Sequence, residues 1–275
     1  MKLDPRIFLY LDFETRSPVD LKTAGLENYA RNCEVLMCAW AVNDSDVRLW
    51  LAGDTRGYRQ EDCLMPEDLD MYLRRPEIIK VAWNAAFERA VLKYALGIDV
   101  PVSQWLDPSA MSRYAGGPSH LAQASEVFGL CGEGKDKEGA RLIRVFCTPG
   151  KRGHKTPSEA PEDWQRFQEY CKQDVVAERA LFKKLLPAYE LPERERKLLA
   201  LDQKINERGI PVDLQFVRNA KALAERERER LVHELTEITG LENPNSPKQL
   251  LAWLRGCGYP YASLGKKWVD RALSE

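Results

Sequence analysis

The chain is 275 residues long, 44% hydrophobic and 30% charged, and its 41 lysines and arginines nearly cancel 42 aspartates and glutamates to a formal net charge of -1. That length divides into about two domains of ordinary size, and the balance of apolar and charged residues excludes a disordered, collagenous or small disulfide-stapled chain. With so little net charge, nucleic-acid contact has to come from a local basic patch or from bound cations.

Residues 6–13 alternate and then run apolar into Asp12, and 34–42 and 46–51 read as further strands, with turn chemistry at Asn43-Asp44-Ser45. This predicts a three-strand antiparallel start. The apolar run Ile7 to Leu11 is cut by Asp12 and Glu14, too short for a membrane span or a secretory leader, so a cytoplasmic chain with no membrane partner is expected. The cysteines show no C-x-x-C spacing and the three histidines lie far apart, against a zinc site or a disulfide framework. A helix is predicted at 66–74, opened by Pro66, then a strand at 78–82 and a helix from about 85 to 96 that Gly97 ends. From residue 108 the pattern is helical, and over 160–186 Trp164, Phe167, Tyr170, Cys171, Asp174, Val175, Leu181 and Leu185 recur at three- and four-residue intervals as one long helix with a buried face.

Strands followed by helices predict an α/β layered domain, and Pro187 and Pro192 bracket a hinge that places its end near residue 190. Residues 191–275 read as a smaller all-α segment. Its helices are expected at 193–207 closing at Gly209, at 213–239 closing at Gly240, and from Ser246-Pro247, with Ser246 as N-cap. The middle helix carries an apolar stripe of Leu214, Val217, Ala220, Ala224, Leu231, Leu235 and Ile238.

Three groups of residues carry chemistry. Asp12 and Glu14, two apart on a strand, share one face at the end of an apolar run; like charges placed so closely repel, and a divalent cation between them is the simplest remedy. Asn84 and Glu88 follow a strand one helical turn apart, and Tyr170 and Asp174 share a face of the long helix. Singly, each pair reads as solvated strand-end or helix-surface groups. A fourth feature is basic: Lys135, Lys137, Arg141, Arg144, Lys151, Arg152 and Lys155 stand against only Asp136 and Glu138, a candidate surface for tracking a single-stranded backbone. Gly129 to Asp136 nearly forms a phosphate-binding loop, but Asp136 replaces the required Ser or Thr and no strand precedes it.

Taken in order, Asp12-Phe13-Glu14 on the first strand, Asn84-Ala85-Ala86-Phe87-Glu88 after a later one and Tyr170-Cys171-Lys172-Gln173-Asp174 on a late helix resemble the DnaQ-like 3'-5' exonucleases of the DEDDy type. The nearest likeness is to the proofreading domain of phage-type family A DNA polymerases, over residues 1 to about 190. Leu201 to Asp213 and Asn245 to Leu250 resemble the opening of the polymerase region in that family, where the thumb begins. The resemblance implies an RNase H-like exonuclease domain, a mixed central sheet flanked by helices, at 1–190 and a helical, thumb-like start of the polymerase region at 191–275. It implies a metal-dependent hydrolase removing nucleoside monophosphates from DNA 3' ends. Two divalent cations, Mg2+ or Mn2+, would be held by Asp12, Glu14, Glu88 and Asp174, with Asp12 shared by both ions.

By the same resemblance, Tyr170 orients the attacking water rather than acting as a base, and Thr15 and Asn84 lie near the terminal nucleotide. Lys135, Lys137, Arg141 and Arg144 are the DNA-binding candidates of the basic segment. The implied partner is single-stranded DNA or a primer 3' end, with a separate polymerase chain as a further candidate. One departure is Glu88, where the family commonly has Asp. The chain ends at Glu275, before the palm carboxylates of such polymerases, which reads as the N-terminal portion of one, truncated or encoded by a split gene. Two other readings compete: a stand-alone RNA-trimming exonuclease, against which the polymerase-like stretch argues, and a non-catalytic DNA-binding scaffold.

Overall fold

A computed structural model describes residues 6–52, 64–130, 138–148 and 154–274. Its sheet holds β1 (Ile7–Arg16), β2 (Glu34–Val42), β3 (Arg48–Leu51), β4 (Ile78–Val81) and β5 (Trp105–Leu106). The helices in chain order are α1 (Leu21–Ala24), α2 (Leu26–Asn32), α3 (Glu67–Arg74), α4 (Ala86–Ala90), α5 (Pro108–Tyr114), α6 (Leu121–Val127), α7 (Gly139–Phe146), α8 (Pro161–Tyr189), α9 (Glu193–Arg208), α10 (Leu214–Thr239), α11 (Pro247–Gly256) and α12 (Lys266–Ser274).

The strand order is β3-β2-β1-β4-β5, with β2 antiparallel to both neighbours and the β1–β4 and β4–β5 pairs parallel. A mixed sheet with helices around it is the α/β architecture that the resemblance implies. The three-strand antiparallel start forms as its pattern predicts, and Leu9 pairs with Val42 while Glu14 pairs with Met37. A bulge between Glu14 and Thr15 shifts the register at the end of β1.

Alternation along β1 decides which layer each side chain joins. Phe8 and Tyr10 enter the apolar layer under α8, with Phe167, Val175, Leu181 and Phe182, whereas Leu9, Leu11 and Phe13 enter the opposite layer, with Leu69, Leu73, Val91 and Leu92. Asp12 and Glu14 have the parity of Phe8 and Tyr10, so the strand presents them to the α8 side. The long helix runs past its expected end to Tyr189, with Pro187 in its last turn, where its missing N–H deprives only the carbonyl four residues upstream of a helical donor.

Three elements lack a legible sequence pattern. The two-residue β5 is too short to show a period, α1 is a single turn capped by Asp20, and α2 follows Gly25 without a side-chain cap. The helix expected at 85–96 is α4 followed by a π-helical stretch, Val91–Ala95.

The chain divides into two compact units, Met1–Gly209 and Ile210–Glu275. The first therefore runs past the expected hinge near residue 190. Leu191 is buried in the core, and Glu190 accepts two hydrogen bonds from Arg6, at 2.6 and 3.2 Å. The guanidinium of Arg89 reaches α9, bonding Gln203 and pairing with Glu207 at 2.7 Å. In the second unit Asp213 and Ser246 cap α10 and α11 through the N–H groups of Phe216 and Gln249, and Gly240 closes α10 in the left-handed conformation. The expected α10 helix is present, but Leu214, Val217, Leu231, Leu235 and Ile238 of its stripe are exposed. Among the described residues, no helix is long and apolar enough to cross a membrane.

Candidate active site

Asp12 and Glu14 leave β1 toward α8, and Asp174 sits on α8 among Tyr170, Cys171, Val175 and Glu178 of its buried face. One carboxylate oxygen from each of Asp12, Glu14 and Asp174 lies within 4.8 Å of the others. Glu14 and Asp174 are buried and Asp12 is partly buried. Three carboxylates this close in a mostly buried site repel strongly when ionised, and three hard oxygen donors are the ligand type that a divalent cation takes. The donor set therefore fits such an ion.

Two thiols border the cluster. The Sγ of Cys171 lies 3.7 Å from the Asp12 carbonyl oxygen and 3.8 Å from Oδ2, and the Sγ of Cys147 lies 3.9 Å from Glu14 Oε2. Burial and then the Asp12 charge push the Cys171 thiol up, and burial and then Glu14 do the same to Cys147, so both are weak neutral donors.

Tyr170 is fully buried, its ring stacked on Phe167 at 6.0 Å, and Phe167 stacks in turn on Phe146 at 5.4 Å. Burial, followed by the charges of Asp174 and Glu14, pushes its phenol well above the usual range. It is a neutral hydroxyl fixed one turn before Asp174. Gly139 at the start of α7 lies against this ring, and a Cβ there would overlap it. Sequence reasoning missed Gly139, whose need for hydrogen in place of a side chain arises only from tertiary packing.

Glu88 lies outside the three-oxygen cluster. It is buried in α4, and its Oε2 has no hydrogen-bond partner. Burial and then the Asp12 charge push its carboxyl well above the ordinary value of 4.5. An orphaned buried carboxylate oxygen coupled to Asp12 is a second feature that a cation would satisfy.

Of the remaining candidates, Thr15 is buried with its hydroxyl 2.9 Å from the Tyr29 hydroxyl. Asn84 is exposed, in the left-handed region at φ 65°, and its backbone N–H donates to Asp107 Oδ1 at 3.0 Å. Arg141 and Arg144 are exposed on α7. Arg141 makes a two-pronged pair with Asp163 at 2.8 and 3.1 Å, and Arg144 donates to its own helix at the Ala140 carbonyl at 3.1 Å. Lys135 and Lys137, with Lys151 and Arg152, lie outside the described residues. A cleft of about 830 Å³ beside Asn84 is lined by Arg31, Arg89, Tyr94, Asp107 and Gln203, but by none of Asp12, Glu14 and Asp174. Its charges are largely mutually paired, Arg31 with Glu27 and Arg89 with Glu207, both at 2.7 Å.

Two further buried carboxylates join this neighbourhood, Asp107 and Glu178. Glu178 carried a readable signal, because it continues the Tyr170–Asp174 face by another turn. Asp107 did not stand out from an ordinary cap of the helix that follows.

No family model matches the chain. Over 276 aligned residues it is 35% identical to the DNA polymerase of Bacillus phage SP02, which covers 96% of this chain and 41% of that polymerase. The chain thus spans about two-fifths of the length of that relative. Among solved structures it is similar to Escherichia coli RNase D, an exoribonuclease involved in structured RNA processing, with a TM-score of 0.43, 15% identity and coverage of 96% of this chain and 56% of that one. Brucella melitensis NrnC with bound Mg2+ gives 0.42 and 17%, covering 74% and 86%. The family B DNA polymerase of Pyrobaculum calidifontis gives 0.42 and 19%, covering 67% and 25%. The likeness to a phage DNA polymerase that three short motifs carry therefore extends along nearly the whole chain.

Proposed function

We propose that this chain is a metal-dependent 3'-5' exonuclease that removes nucleoside monophosphates from DNA 3' ends, and that it corresponds to the N-terminal part of a family A DNA polymerase. The observation that carries the reading is the convergence of Asp12, Glu14 and Asp174 within 4.8 Å, from a first strand and a late helix, with Tyr170 one turn away. The relative from Bacillus phage SP02 is a DNA polymerase, which favours DNA over RNA as substrate. In this reading residues 1–190 are the exonuclease domain and 191–275 the helical start of the polymerase region, with α9 packed onto the first through Arg89.

Asp12, Glu14 and Asp174 would hold a divalent cation, Mg2+ or Mn2+, and Glu88 would join Asp12 toward a second. Bound there, such ions supply an acidified water and charge stabilisation at the phosphodiester. Everything else falls to the protein's own groups. Tyr170, neutral and held by its aromatic stack, orients the attacking water through its hydroxyl. Thr15 and Asn84 line the place of the terminal nucleotide. Arg141 and Arg144, with Lys135 and Lys137, follow the single strand, and Arg141 exchanges Asp163 for phosphate as it does so. The additional methylene of Glu88 compared with Asp lengthens its reach from α4 while leaving its charge.

The test is degradation of 5'-labelled single-stranded DNA and a matched RNA by residues 1–275 with Mg2+ or Mn2+, with EDTA and Asp12→Ala as controls. The expected result is a ladder shortening from the 3' end of the DNA, absent in both controls and slower on RNA. Equal inertness of wild type and Asp12→Ala, with both folded, would overturn the reading, and faster decay of RNA would replace it with the RNA-trimming alternative.

A further inference from the structure

Glu178 belongs to none of the three motifs, yet it is buried on α8 one turn beyond Asp174. Its Oε2 accepts the backbone N–H of Trp83 at 2.7 Å, and its Oε1 is buried with no hydrogen-bond partner. The next amide along the chain, that of Asn84, donates to Oδ1 of Asp107 at 3.0 Å. The same Asp107 oxygen accepts the Ser109 N–H at 2.8 Å and so caps α5. The Trp83 ring nitrogen donates to the Ser119 carbonyl at 3.0 Å.

Two successive amides of the turn between β4 and α4 thus end on two buried carboxyl groups, one on α8 and one at the N-cap of α5. Asn84 lies in this turn at φ 65°, in the left-handed region that residues other than glycine seldom adopt and that asparagine tolerates better than most. Placing two more carboxyl groups near Glu88 and Asp12 adds repulsion whenever they ionise, and burial opposes that ionisation. A carboxyl oxygen accepts each amide whether or not the group is ionised, and two such bonds, from α8 and from the cap of α5, hold the turn at two successive residues. What that grip controls is the origin of α4, and therefore where Glu88, one turn later, stands relative to Asp12.

We propose that Glu178 and Asp107 are positioning residues that hold the Trp83–Asn84 turn and thereby set Glu88 against the Asp12 carboxylate. The inference rests on the exonuclease reading for its catalytic consequence, but the hold on the turn is measurable without catalysis. Neither residue touches the reacting atoms in this assignment. Loss of the hold misplaces the Glu88 carboxyl and, in the same turn, Asn84, so kcat falls and KM rises by a smaller factor.

The experiment compares wild type, Glu178→Leu and Glu178→Gln in the full 275-residue chain by amide hydrogen exchange at Trp83, by thermal melting and by kcat and KM on 5'-labelled single-stranded DNA. Glu178→Leu is expected to speed exchange at Trp83 and to lower kcat about tenfold to a hundredfold, the scale of a small misplacement, with a smaller rise in KM from the displaced Asn84. Glu178→Gln, whose amide oxygen still accepts the Trp83 N–H, is expected to restore slow exchange and most of kcat. Unchanged exchange at Trp83 in Glu178→Leu would overturn the proposal, as would a folded Glu178→Gln no better than Glu178→Leu in both readouts. If Glu178→Leu does not fold, Asp107→Asn against Asp107→Ala puts the same question to the Asn84 amide. An inert wild type would sink the exonuclease reading alone, because exchange at the two amides still decides the positioning role.

Discussion

The two halves of the acidic site are built on different principles. The Asp12, Glu14 and Asp174 half brings three carboxylates together on a strand and a helix, close enough to share one ligand, with Asp12 only partly buried. The Glu88 half is buried, lies outside that cluster, and is anchored indirectly, through backbone amides held by Glu178 and Asp107. One half places its side chains by regular periodicity. The other depends on a left-handed turn and on contacts made far away in the sequence.

The largest effect that can break this comparison is loss of a member of the cluster. Asp174→Asn is expected to lower kcat about a thousandfold or more, the scale of removing a group that acts in the transition state, whereas Glu88→Gln lowers it by a smaller factor. Single-turnover rates on 5'-labelled DNA measure both, and equal losses would erase the distinction. Next in size is Gly139→Ala. Its added methyl has to displace the Tyr170 ring, so kcat is expected to fall about tenfold to a hundredfold while Asp12, Glu14 and Asp174 stay in place. A crystal structure showing Tyr170 unmoved in an active Gly139→Ala variant would contradict this.

The buried half also has a signature in stability. The carboxyl groups of Glu88 and Glu178 are pushed up from their ordinary 4.5, by burial first and the Asp12 charge second. Between 4.5 and their raised values the folded chain binds protons that the unfolded chain has released, so in EDTA stability falls as pH rises through that window. Glu88→Gln removes one such group and is expected to make the fall shallower, and to stabilise the metal-free protein by about 1–3 kcal/mol at neutral pH. Melting curves from pH 5 to pH 8 check the slope. A parallel slope in wild type and variant would mean that Glu88 ionises freely in the folded state.

The smallest expected effect is at the surface. Arg141→Ala removes an exposed side chain already paired with Asp163, and should raise KM for single-stranded DNA by about threefold with a shallower salt dependence and kcat unchanged. A change in kcat rather than KM would place Arg141 in the site instead of along the strand path.

This contrast also explains what could be read from the sequence. Asp12 and Glu14 show the period of a strand and Tyr170 and Asp174 that of a helix, so their grouping follows from local geometry plus one packing decision, the burial of the Phe8–Tyr10 face under α8. Glu178 was legible by the same rule and was overlooked because no partner for it stands nearby in sequence. Gly139, Asp107 and the left-handed Asn84 have no local signature, since each matters only for what a distant element places beside it. The end of the first unit is a similar case. Prolines at 187 and 192 look like a hinge, but Leu191 is buried and Arg89 is bonded to Gln203 and Glu207 of α9, long-range contacts that no local pattern encodes. Likewise β5 and α1 are too short for periodicity, and sheet pairing and capping define them instead.

The central claim is that Asp12, Glu14 and Asp174 form a divalent-cation site in which Glu88 is a separate, indirectly placed contributor. Calorimetric titration of Mn2+ into wild type, Asp174→Asn and Glu88→Gln tests it most directly. The account predicts that the tightest binding event disappears in Asp174→Asn and survives in Glu88→Gln, whereas retention of that event in Asp174→Asn, or its loss in both folded variants alike, would contradict it.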